Sequence, residues 1–191
     1  MIRVFVAVDL REEARRELGK LIQKLSAKRW MVRWEKSEKL HLTLFFVGWT
    51  QEDRASRVVG AVKEGVKGIV PFSIRLGYMG VFPDYVQPRV VWLGIKGDQQ
   101  ELVKLRKQVA EALVAQGFSD EKRGWVPHLT IGRVENAARF RAKKELGRQL
   151  QKLESYEFRE YSFVDRVTVY QSVLKPSGSE YQKLSQISLP S

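Results

Sequence analysis

The chain has 191 residues, with 34 Lys and Arg against 22 Asp and Glu for a formal net charge of +12, and it has two histidines and no cysteine. The missing cysteines exclude a disulfide framework, a thiol nucleophile, a thiolate zinc site and an ordinary iron–sulfur cluster, and two imidazoles cannot complete a histidine-rich metal cage. With 43% apolar residues the chain can bury a core as one compact unit or two small lobes, and its positive field favours polyanions, nucleic acid first among them, although Lys and Arg spread over solvated faces would give the same sum.

Residues 2 to 8 form an apolar, β-branched run that reads as a strand closed by Asp9, neither a signal peptide nor a membrane span, so the cytoplasm is the expected compartment. Leu10, Ala14, Leu18, Leu21, Ile22 and Leu25 then follow helical spacing. Trp30 to Glu35 fits either period, whereas Leu40 to Val47 is a dense apolar strand ended by Gly48. A helix is predicted from Glu52 to Lys67, and Phe72 to Leu76 alternates as a half-buried strand does.

Gly80 to Pro88, with two prolines, breaks the pattern and marks a crossing. The order then repeats. Arg89 to Ile95 is a strand, Leu102 to Leu113 a helical stripe, Pro127 to Val134 a strand, and Ala138 to Leu153 a sparser helix. Tyr161 to Val173 reads as one strand, and Lys175 to Ser179 as the hairpin turn before a last strand near Tyr181 to Ile187. Each half begins β-α-β-α-β. The expectation is a single domain spanning 1–191, of α+β class, built as a bilobal pseudo-twofold duplication with a repeat of about 85 residues (halves about 1–82 and 88–191) and a cleft between the lobes.

The chemistry-bearing features are His41-Leu42-Thr43-Leu44 and His128-Leu129-Thr130-Ile131, each in the third element of its half. Threonine is scarce, with Thr43, Thr50, Thr130 and Thr168 the whole supply. Chance placement would put Thr two residues after both histidines roughly 1 time in 2,000. On a strand, alternation sends His and Thr to one face and Leu or Ile to the other, with the pair about 6 to 7 Å apart. A lone histidine in an apolar strand is more often a satisfied core residue; two related by a pseudo-twofold axis surround a phosphate-sized site with donors on both sides. Such a site suits in-line phosphoryl displacement, one neutral imidazole taking a proton from the nucleophile and one imidazolium giving a proton to the leaving oxygen. Threonine hydroxyls and a nearby Arg or Lys would bind the non-bridging oxygens. No metal or other cofactor is required.

The paired H-x-T-x motifs resemble those of the two-histidine phosphoesterases, and within them the RNA 2′,3′-cyclic phosphodiesterases, also called 2′-5′ RNA ligases. The resemblance extends over Arg3 to Val8, Leu40 to Gly48, Gly80 to Pro83, Pro88 to Gly94, Pro127 to Arg133 and Gln171 to Tyr181. It implies a bilobal α+β fold and metal-independent opening of a 2′,3′-cyclic phosphate at an RNA 3′ end, tRNA fragments and cyclic nucleotides being within that substrate class. It implies that His41 is the proton donor and His128 the proton acceptor, an assignment the near-identical motifs leave open by themselves. Thr43, Thr130 and Arg133 match phosphate-contacting positions of the family. Strict alternation puts Arg133 on the face opposite His128, so its role requires a bend in the strand, for instance at Gly132.

Several further residues fit two readings. Trp34, Phe45, Phe46 and Phe82 are aromatic candidates for stacking a terminal base, although rings in apolar strands are mostly core. The basic run Arg139, Arg141, Lys143, Lys144 and Arg148 could track an RNA backbone or coat a helix. Ligation of a cyclic phosphate end to a 5′-hydroxyl uses the same proton transfers, and a non-catalytic RNA-binding module would use charge and rings alone. The chain is read as a monomer with no membrane partner.

Overall fold

The computed structural model describes residues 1–121, 124–153, 158–176 and 178–190. Its strands are β1 (Ile2–Asp9), β2 (Val32–Trp34), β3 (His41–Thr50), β4 (Phe72–Phe82), β5 (Val90–Lys96), β6 (His128–Val134), β7 (Tyr161–Val164), β8 (Arg166–Lys175) and β9 (Gly178–Ser188). Its helices are α1 (Glu12–Ser26), α2 (Glu52–Gly65), α3 (Gln100–Ala115) and α4 (Phe140–Gln151). The strands lie in the order β7-β4-β5-β6-β3-β1-β8-β9, with β2 added beside β6, and every pairing is antiparallel. The fold is α+β.

That order is symmetric about the junction of β6 and β3, where the ladder narrows to one residue pair, Leu42 opposite Leu129. One lobe carries β3, β1, β8 and β9 with α2 and α3 against it; the other carries β6, β5, β4 and β7, with α1 and α4 packed on its strands. Each lobe draws strands from both halves of the sequence, since β4 joins β5 and β8 joins β1. Helices bury their apolar stripes on the outer face of the sheet: Ala14, Leu18, Leu21, Ile22 and Leu25 of α1 are all buried, as the spacing predicted. The inner face, left open by the helices, is the cleft.

Three elements differ from the expectation. Residues 32 to 34, ambiguous by period, form β2. The strand beginning at Phe72 continues to Phe82, through Gly80, where the break was expected to begin: Gly80 leaves room for the Trp92 ring, which a Cβ there would approach to 2.3 Å. The run Tyr161 to Val173 is two strands on opposite sides of the sheet, separated at Asp165. Arg11 donates to the Asp165 carboxylate at 2.5 Å, and Leu189 N–H donates to its carbonyl at 2.8 Å, fixing the crossing.

Candidate active site

Alternation along β3 and β6 places Leu42 and Leu129 in the core, each fully buried, and turns His41, Thr43, His128 and Thr130 to the cleft. Counting outward through the Leu42–Leu129 pair brings His41 level with Thr130 and Thr43 level with His128. The four side chains line one cavity of about 100 Å³, room for a phosphate group rather than a whole nucleotide. Arg3, Lys39, Phe46, Arg133 and Tyr181 share it.

Arg133 reaches this face through a bulge. On β6, Thr130 pairs with Trp92 but Gly132 pairs with Val91, so Ile131 is an extra residue and the alternation is reset beyond it. The bend thus lies one residue before Gly132. The first motif has the same device: Thr43 pairs with Ala7 and Phe45 with Val6, leaving Leu44 as the extra residue and turning Phe46 to the cleft. Leu44 and Ile131 occupy equivalent places, three residues after each histidine, and both are buried.

The two imidazoles are held alike. His41 Nδ1 lies 2.7 Å from the Lys39 carbonyl and His128 Nδ1 lies 2.8 Å from that of Val126. A carbonyl only accepts, so each Nδ1 carries the hydrogen and each Nε2 is left for the cleft. Burial is the main influence holding both imidazoles below the ordinary histidine value; their carbonyl partners act in the opposite direction, as does the Asp9 carboxylate at His41 and the Glu121 carboxylate at His128. Asp9 stands opposite His41 in the β1–β3 ladder and accepts from the hydroxyls of Thr168, at 2.9 Å, and Tyr170. Burial, then the Asp9 contact, pushes the Tyr170 phenol up. Packed rings restrict both histidines: Phe5 and Tyr181 have centroids 4.9 and 5.1 Å from His41, and Phe82 lies edge-on to His128 at 5.0 Å.

Of the four aromatic candidates, Phe45 is core; Phe46, 44% exposed, lies where the small cavity meets a larger one of about 650 Å³ that Phe82 and Trp125 also line. Trp34 lines a third, basic pocket. Residues of the α4 basic run line none of these three cavities. From the predicted hairpin turn, Ser179 lines the site and its carbonyl accepts from Lys39 Nζ at 2.8 Å, while Ser177 lies outside the described residues. Arg3, Tyr170 and Tyr181 were missed, although Arg3 sits on the polar parity of β1, opposite Ile2 and Val4. Among the described residues, no three His, Asp or Glu side chains gather into a metal-binding set, and no helix is long and apolar enough to cross a membrane.

The symmetric sheet, with its paired histidine strands, defines a class, and residues 10–174 match the model of the 2′-5′ RNA ligase superfamily. The chain belongs to that superfamily. It is 34% identical to the RNA 2′,3′-cyclic phosphodiesterase of Thermotoga maritima, over 96% of this chain and 93% of that protein, and 34% identical to the protein so named in Methanothermobacter thermautotrophicus, over 94% and 95%. Among solved structures it resembles TT0787 of Thermus thermophilus, with a TM-score of 0.80 and 25% identity over 98% of each chain. It shares the fold of Escherichia coli LigT complexed with 3′-AMP, with a TM-score of 0.74 at 23% identity, covering 100% of this chain and 99% of LigT.

Proposed function

We propose that this protein hydrolyses the 2′,3′-cyclic phosphate at an RNA 3′ end to a 2′-phosphate, with no metal ion, His41 acting as general acid and His128 as general base. The observation that carries the reading is the pair of imidazoles, each with Nδ1–H committed to a carbonyl two residues back and Nε2 free at one phosphate-sized cavity. The names of the Thermotoga and Methanothermobacter relatives support the substrate.

In this mechanism a water oxygen attacks phosphorus while its proton passes to His128 Nε2. The bond from phosphorus to the 3′ oxygen breaks, and His41 Nε2 gives that oxygen its proton. Thr43, Thr130 and Arg133 bind the non-bridging oxygens as charge gathers on them. Asp9 suits His41 to the acid role, because a carboxylate beside the ring favours its charged form, while Glu121 acts in the same direction at His128. Bound phosphate does the same for both rings. The larger cavity, with Phe46 and Phe82 on its wall, would take the terminal base. The symmetric strand order also supports the proposal that 1–191 is one domain with repeat halves of about 1–82 and 88–191.

The test is an oligonucleotide ending in a 2′,3′-cyclic phosphate, incubated with purified protein in excess EDTA. The expected product carries a 2′-phosphate; unchanged substrate would refute the proposal. Ligation is the second reading, favoured by the superfamily match: a 5′-hydroxyl replaces water in the same displacement. The ratio of joined to hydrolysed product on tRNA halves measures it, and bulk water favours hydrolysis.

A further inference from the structure

Next to the catalytic cavity lies a second pocket of about 410 Å³, bounded by β2, the segment after it, β6 and the start of β9. Arg3, Lys39 and Arg133 line both spaces, so the two are continuous. The second adds Arg33 and Lys36, giving five cationic side chains against the single carboxylate of Glu35. Glu35 sits 3.6 Å from Arg133 Nε, and Lys39 is held by the Ser179 carbonyl. Among the described residues, the side chains of Arg3, Arg33 and Lys36 have no hydrogen bond or ion pair.

The register of β2 makes this concentration of charge unusual. Arg33 pairs directly with Arg133 across the β2–β6 ladder. Like charges opposite each other on antiparallel strands are destabilising, and neither residue contributes to the core, which Val32 and Val134 fill from the alternate positions. Glu35 offsets the charge of Arg133 alone, and Arg33 is left without a partner among the described residues. An anion between the two guanidiniums removes the repulsion and turns it into charge-assisted hydrogen bonding.

We infer that this pocket binds the internucleotide phosphodiester on the 5′ side of the terminal nucleotide, so that the enzyme selects RNA chain ends over cyclic mononucleotides. The inference rests on the activity proposed above and names its substrate class. A terminal ribose presents three groups in different directions: the cyclic phosphate from C2′ and C3′, the base from C1′ and the chain from C5′. Three spaces adjoin at the site: the phosphate-sized one holds both histidines, shares Phe46 and His128 with the one walled by aromatic rings, and shares Arg3, Lys39 and Arg133 with the basic one. Trp34 decides between a phosphate within a chain and a terminal phosphate. Trp34 packs over Gly132, where a Cβ would come within 2.8 Å, and against the core, and it also borders the basic pocket, so an apolar contact for the penultimate nucleotide lies beside the cations.

The experiment compares three substrates, adenosine 2′,3′-cyclic phosphate, its 5′-phosphorylated form and the dinucleotide ApA ending in a 2′,3′-cyclic phosphate, with wild-type protein and with Arg33→Gln, Lys36→Gln. The dinucleotide should exceed the unphosphorylated mononucleotide in kcat/KM by about tenfold or more at low salt, with the 5′-phosphorylated form between them. That advantage should shrink as salt is added and collapse in the double variant, which still turns over the simple mononucleotide. Because Arg33→Gln relieves the cross-strand repulsion, thermal stability should hold or rise, separating loss of binding from loss of fold. Equal kcat/KM on the dinucleotide and the simple mononucleotide would overturn the inference while leaving the hydrolytic reading intact. A 5′-phosphorylated mononucleotide with the whole advantage would overturn the assignment to an RNA chain. No turnover of any of the three would instead refute the activity itself.

Discussion

Replacing each histidine by asparagine tests the division of labour with a magnitude that decides the outcome. Asparagine keeps an N–H for the Lys39 or Val126 carbonyl, so the strand ends retain their hydrogen bonds, but it transfers no proton near neutral pH. General acid or base catalysis contributes about 10²–10⁴-fold, or about 3 to 5 kcal/mol of barrier. Each single variant should therefore lose that factor in kcat/KM on an RNA cyclic phosphate. Two independent losses would multiply to about 10⁴–10⁸, but both imidazoles line one cavity and serve one displacement, so the double variant should fall near the poorer single variant. A p-nitrophenyl phosphodiester separates the roles, because its phenolate departs without a proton. With that substrate His41→Asn should recover most of the rate and His128→Asn should not. Recovery in His128→Asn alone would reverse the assignment, and either variant within about tenfold of wild type on RNA would refute two-histidine catalysis.

Three further outcomes follow from the packing around the site. Both imidazoles bind protons less readily in the fold than at the ordinary value of 6.5, so the unfolded chain holds more protons below that pH; stability should be complete above 6.5 and decline as pH falls below it, and urea midpoints of the histidine-to-asparagine variants should decline less steeply. Tyr170→Phe removes the hydroxyl that Asp9 accepts from, leaving the carboxylate with Thr168 and Lys183; a loss of about 1 to 3 kcal/mol in urea unfolding is expected. Gly65→Ala would place a Cβ 2.7 Å from Val109 Cα where α2 meets α3. The helix-propensity gain of up to about 1 kcal/mol is outweighed by an overpacking cost of about 1 to 3, so thermal stability should fall with kcat/KM unchanged.

How much of this was legible in the sequence depended on whether a feature is local. The α1 stripe and the strand parity that turns His41 and Thr43 away from Leu42 follow from 3.6- and 2-residue periods, and both match the burial observed. The break at Asp165 was not legible because apolar alternation continues on both sides of it; what separates β7 from β8 is a carboxylate held by Arg11, 154 positions away in sequence. Arg3, Tyr170 and Tyr181 are unremarkable until β1, β8 and β9 are known to be neighbours. The reset at Leu44 and Ile131 was equally hidden, since a bulge is a property of the pairing and not of one strand.

That pairing also shows how a symmetric scaffold holds unlike groups at like places. Five residues after His128 the bulge delivers Arg133 to the cleft; five residues after His41 the same bulge delivers Phe46. The ladder partner of His41 is Asp9, whereas that of His128 is Gly94, whose missing side chain leaves room for the Tyr78 ring; a Cβ there would lie 2.7 Å from Tyr78 Cζ. A carboxylate therefore stands in line with one imidazole and none occupies the matching place beside the other. Two identical histidine environments would divide one proton evenly, which suits neither donor nor acceptor; the Asp9–Gly94 difference gives His41 a ladder carboxylate that favours its charged form, whereas at His128 the same influence comes from Glu121, outside the ladder. Gly94→Asp would restore the symmetry only by displacing Tyr78. Asp9→Asn removes that influence with one atom exchanged, and should shift the alkaline limb of the pH profile for kcat/KM on an RNA cyclic phosphate to lower pH. An unmoved alkaline limb would detach Asp9 from the acid role of His41.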